Sequence, residues 1–341
     1  MNIQVRVTIE EIARMADVSK ATVSRVLNER EGVGEVTRKR VWRVIEETGY
    51  NPSLLAKGIV TSKTKILGMV VPDITNPFFS ELIRYVEHYA GLGDYSVFVC
   101  CTDGRPEREE QYLRTLIVKR VDGVILVGSS DQPGNMHGRL KKYGIPCVLL
   151  DRRMSFEHSA CIAVNNEYAL YYMTEYLIHH GNKRIAFLSG GRGLSSSAER
   201  KEGYIQALKQ YRIPIDERLI LMGDYTMESG YMLAKQLYEK QIGFTAILAG
   251  SDIMAVGVLK ALREEKRNVP EDVEVIGFDN IEICTAINPA LSTVEQPVSE
   301  MGEYGVKILL NLIEGKEPPK RRLRLKPRFV FRETTKGGKK E

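Results

Sequence analysis

The chain contains one short stretch whose side chains are of the types that contact DNA bases. Within residues 20–28, Val23, Val26 and Leu27 recur at helical spacing and form an inward stripe, which leaves small and polar side chains on the outer face. An arginine on such a face can pair with guanine, and a small apolar group can lie against a thymine methyl. A helical hairpin with a solvated polar face is the alternative interpretation. The candidate DNA contacts are Lys20, Ala21, Thr22, Ser24, Arg25 and Asn28.

A second group of candidate residues follows predicted strands further along the chain. Ligands in doubly wound α/β sheets bind beyond the carboxyl ends of the strands, so polar and aromatic side chains at these points mark a candidate ligand site. Residues 73–79 and 151–152 follow predicted strands, and residues 277–280 end another. Two further candidate segments, 195–200 and 224–225, lie between them in the chain.

Neighbouring helices are expected to hold the DNA-reading face. Thr8 and Glu11 have the S/T-x-x-E spacing of a capping box, which predicts a first helix, and Ser19 is a suitable N-cap for the second. A third helix is expected with Thr37 as its cap and Gly49 as its stop. Within this helix, Trp42 is the only tryptophan of the chain and is expected to close the small core that the three helices form.

From residue 66 onward, short apolar or β-branched runs alternate with helical stretches such as 77–90 and 167–180, which is typical of α/β proteins. Continuous apolar strands of this kind are expected to be buried on both faces, and the helices between them indicate right-handed crossovers and parallel sheets. The number of strands favours two lobes. Strands are predicted at residues 65–71, 96–100, 123–127, 147–150, 184–188, 246–249 and 273–278.

Charge is concentrated at the amino-terminal end. The net charge of the whole chain is +5, and residues 1–65, with 12 Lys and Arg against 8 Asp and Glu, account for +4 of it. A basic small domain joined to a nearly neutral large one is the arrangement that neutralises DNA phosphates. A merely solvated basic surface explains this segregation less well.

Composition excludes several other classes of protein. No apolar run approaches the roughly 18 residues that a membrane helix needs, and the first residues lack the apolar core of a secretory signal, so we expect a cytoplasmic protein. The five cysteines contain no C-x-x-C pair, which indicates reduced core residues rather than a zinc site or disulfides.

Enzyme chemistry is not indicated. The glycine-rich segment 189–193 follows a predicted strand but lacks the G-x-G-x-x-G fingerprint and the G-K-[ST] phosphate cradle. The five histidines show no metal-ligand spacing, so neither a cofactor nor a metal is predicted. A sugar-binding or sugar-processing protein with a basic appendage is the alternative from a different class, and the helices at the N-terminus argue against it.

Two motifs carry a resemblance to a known family. VTIEEIARMADVSKATVSRVLN (7–28) and TGYNPSLLAKGIVTSKTKILGMVVPDITNPFF (48–79) resemble the lactose/galactose repressor family of bacterial transcription regulators, and the resemblance extends to about residue 333. It implies a helix-turn-helix head of three helices plus a core that is similar to periplasmic sugar-binding proteins, with two lobes of parallel doubly wound sheets. The chain is then expected to cross between the lobes three times, with a ligand in the cleft.

The resemblance also implies boundaries. The head is expected at residues 1–50, a hinge helix or linker at 51–65, the core at 66–333, and a disordered tail at 334–341. The first lobe is expected at about 66–164 and 295–325, and the second at about 165–294 and 326–333.

The implied function is that of a repressor that binds a partly palindromic DNA operator as a homodimer, because one recognition helix contacts only a few base pairs. In this family the hinge segment folds on DNA and inserts a leucine into the minor groove. Here Ile59 occupies that position and Lys57 and Gly58 precede it, so Lys57 and Ile59 are further candidate DNA contacts.

The resemblance assigns roles in the cleft as well. Phe78, Phe79 and Tyr225 occupy positions that provide aromatic walls, and Arg200 and Asp279 occupy positions that hydrogen-bond the effector. Aromatic faces beside Arg and Asp suit a sugar ring, whose C–H face is apolar while its hydroxyls need donors and acceptors. Three further candidates are Arg152, Ser196 and Ser251.

Each of these cleft positions also has an ordinary structural interpretation. Phe78 or Phe79 can be a core residue of its helix, and Arg200 and Asp279 can form an interdomain salt bridge. A purine or nucleoside effector and a phosphoprotein co-repressor are alternatives to a sugar. Leu194 stands where the purine-responsive relatives have an arginine, which favours the sugar.

The first testable prediction concerns Arg25, the long cationic side chain beyond the first turn of the predicted recognition helix. Arg25→Ala is expected to weaken operator binding by about 1 to 3 kcal/mol per half-site and to relax the preference at one base pair. Gel-shift titrations against a set of operators with single base-pair changes measure both effects. An equal loss on every sequence, with a smaller salt dependence, would instead identify a phosphate contact.

Overall fold

The structure, a computed structural model, describes residues 7–27, 30–50, 63–128, 136–151, 160–191 and 193–338. The chain divides into two units, Met1–Thr64 and Lys65–Glu341. Four of the residues expected to contact DNA or the effector, Asn28, Lys57, Ile59 and Arg152, lie outside the described residues.

Three helices form the first unit: α1 (Ile9–Met15), α2 (Lys20–Leu27) and α3 (Glu35–Thr48). The predicted capping box is present, because the Thr8 hydroxyl accepts from the Glu11 N–H and the Glu11 carboxylate accepts from the Thr8 N–H at 2.7 Å. Ser19 caps α2 as expected, with its hydroxyl 3.1 Å from the Thr22 N–H. The left-handed Gly49 ends α3. Local sequence therefore determines these helix ends.

Two expectations for α3 were wrong. The helix begins at Glu35 after the extended residue Gly34, so Thr37 lies inside the helix rather than capping it. A glutamate in the first turn is favoured by the helix dipole. Trp42 is 40% exposed and does not close the core. The buried stripe of α3 contains Val41, and the next residue points about 100° away from its neighbour around an α-helix.

The second unit contains two six-stranded sheets. In the first, the strand order is β11-β5-β4-β3-β1-β2 and all neighbours are parallel. This agrees with the predicted parallel doubly wound architecture. Its strands are β1 (Ile66–Val71), β2 (Ser96–Cys101), β3 (Gly123–Val127), β4 (Cys147–Leu150), β5 (Ala160–Val164) and β11 (Arg322–Leu325).

The second sheet has the order β12-β10-β9-β8-β6-β7. Its neighbours are parallel except for the last strand of the chain, β12, which pairs antiparallel with β10. Its strands are β6 (Ile185–Ser189), β7 (Ile220–Met222), β8 (Ala246–Ala249), β9 (Glu274–Asp279), β10 (Ser292–Glu295) and β12 (Arg328–Val330).

The central strands β3, β8 and β9 are buried along their whole length, as continuous apolar runs predict. The edge strand β2 departs from this expectation, because its Phe98 and Val99 are exposed. An edge strand lacks a neighbour on one side, so an apolar sequence does not ensure burial there. Five of the twelve strands among the described residues, namely β5, β7, β10, β11 and β12, were not delimited from the sequence because they are short or partly polar.

Helices cover both sheets. In the first lobe, α12 packs on α4 and on β3 and β4, and in the second lobe α7 packs on α8 and α9 packs on α10. None of the helices in the described part of the chain has the length and apolar content to span a bilayer. The helices of this unit are α4 (Pro77–Gly91), α5 (Pro106–Val118), α6 (Met136–Lys142), α7 (Asn166–His179), α8 (Ser195–Gln210), α9 (Met227–Glu239), α10 (Asp252–Glu264), α11 (Ile283–Ala286) and α12 (Val298–Ile313).

The chain passes between the two sheets three times: after β5, after β10 and after β11. This confirms the expected number of crossings. The prediction of a disordered tail from residue 334 was wrong for residues 334–338. Thr334 and Thr335 are buried, the Thr334 hydroxyl accepts from the Ser292 N–H at 2.8 Å, and the Lys336 N–H donates to buried Glu274 at 2.9 Å. Composition indicated disorder, but tertiary hydrogen bonds hold the segment in place.

Glycines allow α9 and α10 to pack backbone against backbone. A Cβ added at Gly257 would overlap the Met227 carbonyl oxygen, and one added at Gly230 would overlap the Met254 carbonyl oxygen. By contrast, Gly138 in α6 has open space around the position of a Cβ. The two kinds of helical glycine therefore have opposite consequences for stability.

Gly257→Ala is expected to destabilise the second unit by about 1 to 3 kcal/mol, because the two helices must move apart. Gly138→Ala is the matched control and is expected to stabilise by about 0.5 kcal/mol, because alanine loses less conformational freedom on folding. Thermal or denaturant unfolding of the two variants measures the difference. Equal effects of the two substitutions would show that the helix contact does not constrain residue 257.

Candidate functional site

The outer face of α2 presents the predicted DNA contacts in the first unit. Lys20, Ala21 and Arg25 are exposed, while Thr22 and Ser24 are half-buried. Lys20 pairs with Glu10 of α1, and this hydrogen bond lowers the pKa of the Glu10 carboxyl. The stripe opposite, Val23 and Val26, is fully buried, as predicted. Arg25 thus projects from a helix whose orientation is fixed by its core.

In the second unit, the carboxyl ends of the strands from both sheets surround a cavity of about 790 Å³. Lining residues follow β1, β2, β3 and β4 of the first sheet and β6, β7, β8, β9 and β10 of the second. This is the location that the rule for doubly wound sheets predicts. The predicted effector residues that line the cavity are Phe78, Phe79, Ser196, Arg200, Tyr225, Ser251 and Asp279.

The first lobe supplies two aromatic rings from the amino-terminal end of α4. The Asn76 side chain caps this helix by accepting from the Phe78 N–H at 3.0 Å, which directs the first turn at the cavity. Phe78 and Phe79 pack edge to face with ring centroids 5.1 Å apart. Phe78 is also part of the hydrophobic core, so its structural and lining roles coexist.

Arg200 is held rigidly by the second lobe. Its guanidinium stacks on the Phe278 ring at 3.5 Å from the centroid, Nε donates to the Asn166 side chain at 2.8 Å, and Nη1 donates to the Gly250 carbonyl at 2.6 Å. The side chain is 3% exposed. In the described residues Arg200 and Asp279 do not form the ion pair that was the alternative interpretation.

Asp279 is a buried carboxylate at the floor of the cavity. It accepts from the Gln296 side-chain amide at 2.7 Å. Burial raises the pKa of Asp279 well above its ordinary value, repulsion from Asp252 raises it further, and Arg200 opposes the shift. Asp252, which is fully buried, accepts from the Ile281 N–H at 3.0 Å and from the Thr293 hydroxyl at 2.5 Å. Two buried carboxylates, Asp279 at the cavity and Asp252 behind it in the second lobe, therefore interact electrostatically.

Gln296 is a site residue that sequence reasoning missed. It lines the cavity and is 3% exposed, and its Oε1 has no hydrogen-bond donor among the described residues, while its Nε2 is committed to Asp279. A ligand donor is the natural partner for such a buried acceptor. Gln296 directly follows β10, so the strand-end rule would have found it if the strand had been recognised.

The remaining candidates have mixed roles. Ser251 caps α10, because its hydroxyl accepts from the Met254 N–H at 3.2 Å, and it also lines the cavity. Leu194 lines the cavity as well. Four further acidic side chains line the cavity: Asp73, Asp103, Asp151 and Asp224. The described residues contain no group of three or more potential ligands arranged for a metal ion.

A three-helix unit with an exposed arginine-bearing helix, joined to a two-lobed unit with a polar and aromatic cleft, defines a DNA-binding regulator with a ligand site. Comparison with known proteins agrees. Residues 8–53 match the family of bacterial regulatory proteins of the lacI type, and residues 174–335 match a periplasmic binding protein-like domain. The HTH-type transcriptional repressor PurR of Vibrio atlanticus is 37% identical over 330 residues, which are 96% of this chain and 98% of the relative. The chain belongs to the LacI family of bacterial transcription regulators.

Solved structures show the same fold. The lac repressor dimer bound to operator and the anti-inducer ONPF has a TM-score of 0.82 at 27% identity, covering 96% of this chain and 99% of that chain. A LacI family regulator from Enterococcus faecium with bound ribose has a TM-score of 0.73 at 31% identity, covering 81% of this chain and 100% of that one. The relatives are transcription regulators and not enzymes.

The raised pKa of Asp279 predicts a pH-dependent cost to stability. A carboxyl with a raised pKa in the folded state stabilises that state at low pH, and this contribution is lost as the pH rises through the folded-state pKa. Asp279→Asn keeps an oxygen that can accept from Gln296. It is therefore expected to raise the melting temperature of the ligand-free protein at pH 7. The expected rise is roughly 2 to 4 °C for each kcal/mol by which the substitution lowers the free-energy cost of burying this side chain. The gain is expected to shrink towards pH 4.

Asp224→Asn is the matched control with the opposite sign. Partial burial would raise the pKa of Asp224, but hydrogen bonds from Thr226 and Ser229 outweigh it and lower the pKa. Its contribution is present at neutral pH and is lost as the pH falls. Thermal melts of both variants from pH 4 to pH 8 measure the contrast. Parallel pH profiles for the two variants would contradict the assignment of a raised pKa to the buried Asp279.

Proposed function

We propose that this regulator is a repressor that binds a partly palindromic operator as a homodimer and is controlled by a sugar in the cleft between its lobes. The observation that carries the proposal is the composition of the cleft, to which both lobes contribute aromatic rings and hydrogen-bonding groups. Phe78 and Phe79 come from the first lobe, and Tyr225, Arg200 and Asp279 come from the second.

The chemistry of the cleft favours a sugar over a purine. A sugar presents an apolar C–H face to aromatic rings and many hydroxyl donors to acceptors. Asp279 and the Oε1 of Gln296 are buried acceptors, and Asp73, Asp151 and Asp224 add others. The neighbouring regulator from Enterococcus faecium binds ribose. The similarity to the PurR repressor supports a purine effector as the second candidate, but the apolar Leu194 offers no hydrogen bond to a purine.

Dimeric operator binding follows from the small size of the DNA-reading unit. One α2 helix contacts only a few base pairs, with Arg25 in the central role. Two symmetric half-sites therefore supply the specificity that a genome requires. The other contacts on α2 are Lys20, Ala21, Thr22 and Ser24. The solved lac repressor is a dimer on its operator. We assign Asn28, Lys57 and Ile59 to the same DNA surface and residues 51–65 to the hinge. The protein acts in the cytoplasm, where its operator is.

Ligand control follows from the arrangement of the site. A sugar that touches both lobes stabilises only the lobe orientation in which both sets of contacts form. A differential affinity of about 1 to 3 kcal/mol between two orientations changes operator affinity by about 5- to 150-fold. Arg200 is held in the second lobe by hydrogen bonds to Asn166 and Gly250, so a ligand that binds it takes a fixed position relative to that lobe.

A thermal-shift screen identifies the effector class. D-ribose, D-glucose, D-galactose and cellobiose are compared with hypoxanthine, guanine and adenosine on the full chain. A ligand at 100 times its dissociation constant stabilises by about 2.7 kcal/mol, which is readily measured. Stabilisation by a purine and by none of the sugars would overturn the sugar assignment in favour of the second candidate.

Asp279→Asn is expected to weaken binding of the identified sugar by about 10- to 100-fold, because the amide replaces one carboxyl oxygen and leaves a buried sugar hydroxyl without its acceptor, which costs about 1 to 3 kcal/mol. Operator affinity without sugar is expected to stay unchanged. Fluorescence anisotropy on labelled operator DNA, with and without sugar, measures both. Asp94 is exposed in the same unit, and Asp94→Asn is the control, which is expected to leave the response of operator binding to the sugar intact. An undiminished sugar response of Asp279→Asn would remove the effector site from this cleft.

A further inference from the structure

The glycine pair after β6, Gly190-Gly191, forms no nucleotide-binding motif, yet the structure gives its first member a specific neighbour. A Cβ added at Gly190 would overlap the ring of Tyr225 at Cζ, Cε2 and the phenolic oxygen. The aromatic ring therefore lies directly against the backbone of residue 190. Only glycine permits this approach, which explains the glycine without any phosphate chemistry.

The backbone of Tyr225 is also constrained. Its φ is 68°, in the left-handed region that a bulky residue rarely adopts. The surrounding turn compensates, because the Asp224 carboxylate accepts from the Thr226 N–H at 2.9 Å and from the Thr226 hydroxyl at 2.6 Å. A strained residue of this kind persists only where its surroundings determine it. The turn therefore directs the tyrosine side chain back towards β6.

A hydrogen bond holds the far end of the same side chain. The Tyr225 hydroxyl lies 2.7 Å from the Ser197 hydroxyl in the first turn of α8. Ser197 is 7% exposed and does not line the cavity, whereas its neighbour Ser196 and the ring of Tyr225 do. Ser197 thus reaches the cavity only through the tyrosine. Ring, backbone and hydroxyl of Tyr225 are each fixed by a different element of the second lobe.

We propose that Gly190 and Ser197 are positioning residues that hold Tyr225 as an immobile wall of the effector site. The inference rests on the proposed function, since the wall faces the cleft assigned to the sugar. We call the contacts of Gly190 and Ser197 with Tyr225 the clamp. A side chain that is already ordered before binding loses little conformational freedom when the ligand arrives, so the clamp raises affinity although neither Gly190 nor Ser197 contacts the ligand. It also fixes the plane against which a sugar ring packs, and thereby favours one ring orientation.

The clamp is tested first without any ligand. The chain contains 16 tyrosines, and incorporation of 3-fluorotyrosine gives each a fluorine resonance. The resonance that disappears in Tyr225→Phe belongs to residue 225. Ser197→Ala is expected to shift and broaden that resonance, because the ring loses its hydrogen bond, whereas Ser195→Ala, two residues earlier in α8, leaves it in place. An unchanged resonance in Ser197→Ala would overturn the clamp.

A double-mutant cycle tests the consequence for binding. The probe is whichever of D-ribose, D-glucose, D-galactose and cellobiose gives the largest thermal shift, and calorimetric titration measures its dissociation constant. Ser197→Ala is expected to weaken binding by roughly 3- to 10-fold, the range that one hydrogen bond supports. In the Tyr225→Phe background, the same substitution is expected to change affinity less than about 2-fold, because the partner hydroxyl is already absent. Additive effects would show that Ser197 acts independently of Tyr225 and would overturn the inference.

Gly190→Ala displaces the ring itself and is expected to weaken the probe sugar by more than about 10-fold while operator binding without sugar is retained. Circular dichroism and the operator titration confirm that the variant is folded. Affinity equal to that of the unaltered protein would overturn the role of Gly190. If the fluorine resonance responds to Ser197→Ala but no sugar binds the unaltered protein, the clamp stands and the sugar assignment falls.

Discussion

The carboxyl ends of two parallel sheets open onto one cleft, and this shared orientation is the constraint on which the rest of the second unit depends. Loops that follow nine strands meet there, so side chains far apart in sequence become neighbours. Asp73 lies two residues after the end of β1 and Asp279 is the last residue of β9, which is why each reaches the cavity. The sheets supply rigid positions, and the loops supply the chemistry.

The cleft carries its polar groups at a cost to folding. Burial and mutual repulsion disfavour ionised Asp279 and Asp252, and Gln296 holds an acceptor without a donor among the described residues. Such groups are tolerated where they serve a ligand, because a partner with hydroxyl donors satisfies them on binding. The chain crosses between the two sheets three times. Under the proposed function, a ligand that satisfies these groups and contacts both lobes also selects one lobe orientation.

The second lobe holds two of its cavity side chains in fixed positions. Arg200 and Tyr225 are each held by several contacts within the second lobe, through Phe278, Asn166 and Gly250 for the arginine and through Ser197 and Gly190 for the tyrosine. Side chains that are already ordered lose little conformational freedom when a ligand binds, and this favours high affinity and one orientation of the ligand ring. The aromatic residues of α4 line the same cavity from the first lobe.

Local sequence by itself determined the helix caps at Thr8, Ser19 and Gly49, the central strands and the α/β class, because capping and apolar runs depend on neighbours along the chain. It also placed most of the predicted cleft residues, through the rule that ligands bind at strand ends. Only the tertiary structure decided that Trp42 is exposed, that residues 334–338 are ordered and that Gln296 joins the site. The last two depend on a short strand and on contacts between residues distant in sequence, which periodicity does not record, whereas Trp42 is exposed because it lies beside the buried stripe of its helix. Gly190 shows the same limit: the sequence indicated only that its segment lacks a nucleotide-binding motif, and the structure shows that it packs against a ring 35 residues away in the chain.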